Sequence, residues 1–136
     1  MANLAARLAG PAERDDVVQE ALTRAWRKRD QFEPARGTAR AWLLAIVADR
    51  SRRTWRRRRP LVAMRAGFVE GPNEASIDLE RALANLPPRM RLAVNCVYFV
   101  DLTIADTALV MGVSEGTVKS TLSDARARLR AMLEVS

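Results

Sequence analysis

Apolar side chains recur at helical spacing along most of the chain, and no segment shows the strict alternation typical of a strand. A short apolar segment at residues 2–9 ends at the Gly10-Pro11 pair, which punctuates the pattern. A helix is then predicted over residues 12–29, with acidic residues toward its N-terminal half, where the helix dipole favours negative charge. Its predicted apolar stripe comprises Val17, Val18, Ala21, Leu22, Ala25 and Trp26.

A third helix is predicted over residues 38–58, after the break at Pro34 and Gly37 and before Pro60. Thr38 is a suitable N-cap for it. The apolar face comprises Trp42, Leu43, Ile46, Val47 and Trp55, and the opposite face carries Arg40, Arg50, Arg52, Arg53 and the arginines at 56–59. Trp42 is a candidate stacking platform for a base, but its spacing from Ile46 favours a place in the core.

Residues 60–76 contain Gly67, Gly71 and Pro72 with no clear period, which predicts a flexible linker. Helices are predicted after it over residues 77–85 and 88–100, with Pro88 in the first turn of the second. The expected fold is therefore all-α. Two small helical domains, residues 1–59 and 77–136, flank a linker at 60–76.

The last third of the chain has the pattern of a helix-turn-helix. Thr103 and Ser114 can cap its two helices, Gly112 suits the turn between them, and Val118 and Leu122 continue the buried face of the second helix. In a DNA-binding helix-turn-helix the second helix enters the major groove. The residues then expected at DNA are Glu115, Gly116, Lys119, Ser120 and Ser123. An ordinary helical hairpin is the alternative.

The charge is distributed unevenly. The chain has 136 residues and a net charge of +7, but residues 1–60 hold 15 Lys or Arg against 7 Asp or Glu, whereas residues 61–136 hold 8 against 9. This asymmetry indicates a polyanionic partner for the first half, with nucleic acid favoured over a membrane surface. The alternative is a solvated arginine-rich helix end.

The composition disfavours an enzyme. The chain contains no histidine and one cysteine, Cys96, which lies in an apolar run where a buried structural thiol is expected rather than a nucleophile. No catalytic residue, metal or cofactor is predicted. No apolar run is long enough to span a bilayer and no signal peptide is recognised, so a cytoplasmic protein is expected.

Two sets of motifs resemble one known family. In the first half these are DDVVQEA (15–21), RAW (24–26), FEPARGT (32–38) and AWLLAI (41–46), and in the second half LERALANLPPRMRLAV (79–94) and GVSEGTVKS (112–120). They resemble the second and fourth conserved regions of the extracytoplasmic-function (ECF) sigma factors of bacteria. The resemblance extends over most of the chain in the family's order.

The resemblance implies binding to RNA polymerase core and to promoter DNA, with an anti-sigma factor as a further candidate partner. Residues implied to dock on the β′ clamp helices are Asp15, Asp16, Val17, Gln19 and Glu20. Residues implied to meet the −10 element are Phe32, Arg36, Gly37, Thr38, Arg40, Asp49, Arg50 and Arg53. The helix-turn-helix would recognise the −35 element through Ser114, Glu115, Thr117, Lys119, Ser120 and Ser123, and would touch the β flap.

Some positions depart from the family pattern. The helix before Gly10 is short, Asp49 stands where asparagine is usual, and Thr121 and Asp124 replace arginines. Residues 78–136 carry 7 basic and 7 acidic side chains, which weakens the expected pull on DNA. Two alternatives to a working sigma factor therefore stay open. One is a sigma-like remnant or decoy, and the other is an unrelated helix-turn-helix regulator.

Overall fold

The computed structural model describes residues 1–51 and 74–135. Within these ranges the chain forms helices and short connections and no strands, which confirms the expected all-helical fold. The helices are α1 (Ala2–Ala9), α2 (Arg14–Arg27), a 3-10 turn (Arg29–Gln31), α3 (39–51), α4 (Glu74–Ala84), α5 (Pro88–Val94), a π turn (Asn95–Phe99), α6 (Ile104–Met111) and α7 (Glu115–Val135). The predicted roles of Arg52, Arg53, Trp55 and the arginines at 56–59, and most of the predicted linker, lie outside the described residues.

The helix starts follow the predicted caps. The hydroxyl of Thr38 accepts from the Ala41 amide at 3.1 Å, and that of Thr103 accepts from the Asp106 amide at 3.0 Å. Gly112 has φ of 70°, a left-handed conformation that favours glycine. The helix predicted over residues 77–85 begins earlier than expected, since α4 extends over Glu74–Ala84.

One π turn divides the helix predicted over residues 88–100. The amide of Val100 donates to the carbonyl of Asn95 at 3.0 Å, five residues back, which is the π spacing. This part of the chain is buried on two sides. Val94 lies in a core of the C-terminal helices, whereas Cys96 and Val100 lie in a second core that includes the N-terminal helices.

That second core joins the two halves of the chain. Buried residues from both sides of the undescribed segment pack in one cluster: Leu4, Leu8, Val17, Leu44 and Val47 from the first half, and Leu92, Cys96, Val100, Leu102 and Val110 from the second. The remaining cluster lies within the C-terminal half and includes Leu83, Val94, Val118 and Leu122. The N-terminal helices are thus packed against the C-terminal ones.

The predicted stripe of α2 is only partly correct. Val17, Ala21 and Ala25 are buried, but Leu22 and Trp26 are 48% and 68% exposed. Residues four apart share a helix face, so the two alanines continue the side that begins at Val17. Leu22 and Trp26 lie far around the helix from that side, and their apolar surface faces solvent.

Candidate nucleic-acid interface

The exposed side of α2 carries the residues expected to meet a protein partner. Asp15, Asp16, Gln19 and Glu20 are all exposed, whereas Val17 is 2% exposed and belongs to the core. Val17 therefore supports this surface from beneath and does not present its side chain to a partner.

Leu22 and Trp26 extend the exposed surface of α2. Positions 15, 19, 22 and 26 fall on one face of a helix, so the two apolar residues continue the face of Asp15 and Gln19. Arg29 lies over the Trp26 ring, with its guanidinium carbon 4.2 Å from the ring centroid. The apolar pattern placed Leu22 and Trp26 in one stripe with Val17, although the same helical spacing also puts them on the face of Asp15 and Gln19.

A groove between α2 and α3 brings acidic and basic candidates together. It has a volume of about 610 Å³, and its lining includes Asp16, Glu20, Arg24 and Arg50. Across it, Arg50 lies 3.9 Å from the Glu20 carboxylate, and Arg24 lies 3.6 Å from that of Asp49. The surfaces expected for polymerase and for the −10 element are therefore adjacent and linked by ion pairs.

The loop before α3 is ordered by its own contacts. The ring of Phe32 packs against Trp42 with centroids 5.5 Å apart, and both residues are half-buried. Arg36 is exposed and pairs with Glu33 at 2.9 Å. The Thr38 hydroxyl caps α3, so this residue fixes the point at which the loop ends and the helix begins.

Two other −10 candidates face the C-terminal half. The guanidinium of Arg40 donates to the carbonyl of Val100 at 2.9 Å. A Cβ placed on Gly37 would clash with the side chain of Leu109 on α6, which shows how closely α6 approaches this loop. The observed arrangement therefore covers part of the candidate DNA surface.

The helix-turn-helix has the predicted local structure. The Ser114 hydroxyl accepts from the Thr117 amide at 3.1 Å, and Val118 and Leu122 are buried. Along α7 the exposed candidates are Glu115, Lys119, Ser120 and Ser123. The hydroxyls of Thr117 and Ser120 also bond within the helix, to Ser114 and to the Thr117 carbonyl respectively.

Thr121 and Asp124 line a second groove, between α5 and α7. Its volume is about 750 Å³, and Met90, Met111 and Val113 are among the other residues that line it. Thr121 is half-buried there and Asp124 is exposed. Of the two departures from the family pattern, Asp124 is the more open to solvent.

Cys96 has the properties of a structural thiol, as predicted. It is fully buried, and burial raises the pKa of the thiol to about 12. A thiol that stays protonated is a poor nucleophile. Within the described residues, no helix combines the length and apolar character needed to cross a bilayer.

Comparison with known proteins assigns the family. The pattern described as Sigma-70 region 2 matches residues 1–60, and Sigma-70, region 4 matches residues 76–129. The ECF RNA polymerase sigma factor EcfG of Rhodopseudomonas palustris is 35% identical over 138 residues, covering 94% of this chain and 76% of that protein. This chain belongs to the ECF sigma factors.

A further relative and two solved structures are also similar to this chain. SigM of Mycobacterium tuberculosis is 37% identical over 127 residues. The match covers 88% of this chain, but it spans only 63% of the length of SigM. In fold, this sigma factor is similar to RpoE of Bartonella quintana, which was solved with the anti-sigma factor NepR. The TM-score is 0.72 and the identity is 27%, and the match covers 99% of this chain and 90% of RpoE. It is also similar to CnrH, solved with the cytosolic domain of CnrY, with a TM-score of 0.75, 25% identity, and coverage of 99% and 80%.

Proposed function

We propose that this sigma factor binds RNA polymerase core through α2 and directs it to promoters. The loop at 32–38 together with α3 would meet the −10 element, and α7 would enter the major groove of the −35 element. The observation that carries the proposal is the face of α2 on which Leu22 and Trp26 stand exposed beside Asp15 and Gln19. Exposed aromatic residues with charged neighbours are typical of the centre and rim of a protein interface.

The contact with polymerase would combine apolar and acidic groups. Trp26 and Leu22 supply area that loses water on docking, and the exposed carboxylates of Asp16 and Glu20 supply electrostatic complementarity toward a basic partner. Val17 contributes by fixing α2 in the core. The docking surface we propose therefore comprises Asp15, Asp16, Gln19, Glu20, Leu22 and Trp26.

The contacts with DNA would divide between two chemistries. Around α3, Arg36, Arg40 and Arg50 would hold phosphates of the opened strand while a flipped base is accommodated near the 32–38 loop. Along α7, Lys119 would contact a phosphate or guanine, and Glu115 would accept a hydrogen bond from a cytosine amino group. Such binding needs no cofactor and no catalytic residue, since the polymerase carries out RNA synthesis. The site of action is the cytoplasm.

An anti-sigma factor is a further partner we propose. The similar sigma factor RpoE was solved in complex with the anti-sigma factor NepR, and the similar protein CnrH was solved with the cytosolic domain of CnrY. The same surfaces that meet polymerase would be available to such a partner.

Run-off transcription with purified core polymerase and a promoter library tests the proposal. Promoter-specific transcripts are expected. Core binding without transcripts would support the alternative of a sigma-like decoy, which the anionic Asp124 on α7 favours because it repels phosphate. DNA binding without any core association would instead indicate a helix-turn-helix regulator.

A further inference from the structure

The exposed ring of Trp26 is in contact with a side chain from the turn that follows α2. Arg29 is the first residue of that 3-10 turn (Arg29–Gln31). Its Nη1 donates to the backbone carbonyl of Trp26 at 2.7 Å, and its guanidinium carbon lies 4.2 Å from the centroid of the Trp26 ring. One side chain therefore contacts both the backbone and the ring of the same residue.

The backbone contact follows from the place of Trp26 near the end of α2. The helix ends at Arg27, so the Trp26 carbonyl is among the last four of the helix, where the helix dipole favours a cation. The next turn is closed by a bond from the Gln31 amide to the Lys28 carbonyl at 2.9 Å. This turn keeps Arg29 beside the end of the helix.

The contact with the ring is a cation–π interaction. A guanidinium within about 6 Å of the centroid of a tryptophan ring is attracted by the negative face of the π system, and its planar shape suits stacking. Trp26 is 68% exposed although Arg29 lies over its ring, so much of the ring is open to a partner.

The two contacts together restrict the Trp26 side chain before any partner binds. A tryptophan that rotates freely in solvent must be immobilised on docking, which costs binding free energy. An arginine that is bonded to the carbonyl of Trp26 and stacked on its ring favours one orientation of that ring. Aromatic residues that are already held in their bound conformation bind more tightly than mobile ones.

The neighbouring cations are placed differently. Arg27 and Lys28 also lie at this end of the chain segment, but both line the groove between α2 and α3, and Trp26 is not part of that lining. Arg27 is exposed and carries the same charge as Arg29. It therefore provides a matched control for the loss of a positive charge at this end of α2.

We propose that Arg29 is a positioning residue that holds the Trp26 ring in the orientation in which RNA polymerase core receives it. This role rests on the proposed function, because Trp26 belongs to the surface proposed to dock on core. Arg29 acts on docking through the ring of Trp26, so its effect must depend on the presence of that ring.

The orientation of the ring can be measured in the free protein. The chain has three tryptophans, so labelling with fluorotryptophan gives three fluorine NMR resonances, and the one that is lost in Trp26→Phe belongs to Trp26. Arg29→Gln should shift and narrow this resonance because the ring gains mobility, whereas Arg27→Gln should leave it unchanged. Urea unfolding establishes that both variants are folded. An unchanged Trp26 resonance in Arg29→Gln would overturn the proposal.

Affinity for core polymerase tests whether this orientation matters for docking. Arg29→Gln should weaken binding about three- to tenfold, the range expected when one large side chain must be immobilised on binding. Arg27→Gln removes the same charge from an exposed position and should stay within about twofold of the natural affinity. Equal losses in the two variants would mean that only net charge is involved, which contradicts a positioning role.

A double-mutant cycle tests whether Arg29 acts through Trp26. In a Trp26→Ala background, Arg29→Gln should cause no further loss of affinity, because no ring remains to be held. The same loss in both backgrounds would mean that Arg29 contributes independently of the ring, and the positioning role would be wrong.

The outcomes separate the positioning role from the proposed function. If Trp26→Ala binds core as tightly as the natural sequence, the docking surface in the proposed function is wrong, and the role of Arg29 is overturned with it. If Trp26→Ala loses affinity but Arg29→Gln does not, the docking surface is supported and only the role of Arg29 is overturned.

Discussion

The Glu20 carboxylate on α2 lies 3.9 Å from the guanidinium of Arg50 on α3. This pair connects the surface proposed for polymerase with the surface proposed for the −10 element. Arg24 and Asp49 make a second connection across the same groove at 3.6 Å. A partner that binds Glu20 would therefore change the electrostatic surroundings of Arg50, which is proposed to contact DNA.

Removing the Glu20 charge should strengthen binding of a −10 single strand. Glu20→Gln releases Arg50 from this pair, and a partly exposed pair is worth less than about 1 kcal/mol, so a two- to threefold gain is expected. Asp16→Asn removes the same charge one turn away and is the control. Fluorescence anisotropy at several salt concentrations measures the difference, and equal affinity of the two variants would remove this pair from the argument.

Truncating Trp26 should weaken polymerase binding without destabilising the fold. Its side chain is 68% exposed, so Trp26→Ala should change the urea midpoint little. Aromatic residues at interfaces commonly contribute about 2 kcal/mol, so affinity for core should fall more than tenfold. Tyr98 is an exposed aromatic residue in the C-terminal half, so the control variant Tyr98→Ala should bind core polymerase with unchanged affinity. A similar loss of affinity in both variants would contradict the assignment of Trp26 to the docking surface.

Substitutions on α7 should act on the −35 element with opposite signs. Lys119→Ala removes an exposed cation and should weaken duplex binding, with the salt slope reduced by about one. Asp124→Arg should strengthen binding, most visibly at low salt. Footprinting of both promoter elements checks the location, and an unchanged −35 footprint for Lys119→Ala would exclude Lys119 from the interface.

Alkaline pH should destabilise the protein through Cys96. Burial raises its pKa from about 9, the ordinary value of an exposed thiol, to about 12 in the folded protein, so the folded state favours the neutral thiol. This contribution is complete below pH 9 and is lost between pH 9 and 12, at up to about 1.4 kcal/mol per pH unit. Urea unfolding from pH 8 to 11 should show a steeper decline than in Cys96→Ala, and parallel curves would be inconsistent with this role.

Two glycines near the turn should respond in opposite directions to alanine. Gly112 has φ of 70°, so Gly112→Ala should destabilise the protein by about 1 kcal/mol through backbone strain. Gly116 lies within α7 with space for a methyl group, so Gly116→Ala should stabilise it by up to about 1 kcal/mol. Thermal unfolding measures both, and the same sign for the two variants would contradict the turn assignment.

The sequence determined the local features because each depends on residues within one or two helical turns. The caps at Thr38, Thr103 and Ser114 and the turn at Gly112 all stand where the pattern predicted them. The two sets of family motifs were also visible, since each is a continuous string of residues. The buried side of α2 was harder to predict from the sequence, because apolar residues occur around much of that helix and small alanines decide how closely it packs.

Only the tertiary structure decided how the halves meet. Arg7 and Asn95 are separated by most of the chain, and their hydrogen bond depends on a π turn whose position no local rule specified. Arg91 resembled an ordinary surface arginine in the sequence and is a buried cap for α1 in the structure. Helical periodicity predicts which residues share one face of a helix. Which other helix packs against that face depends on contacts between segments that are distant in the sequence.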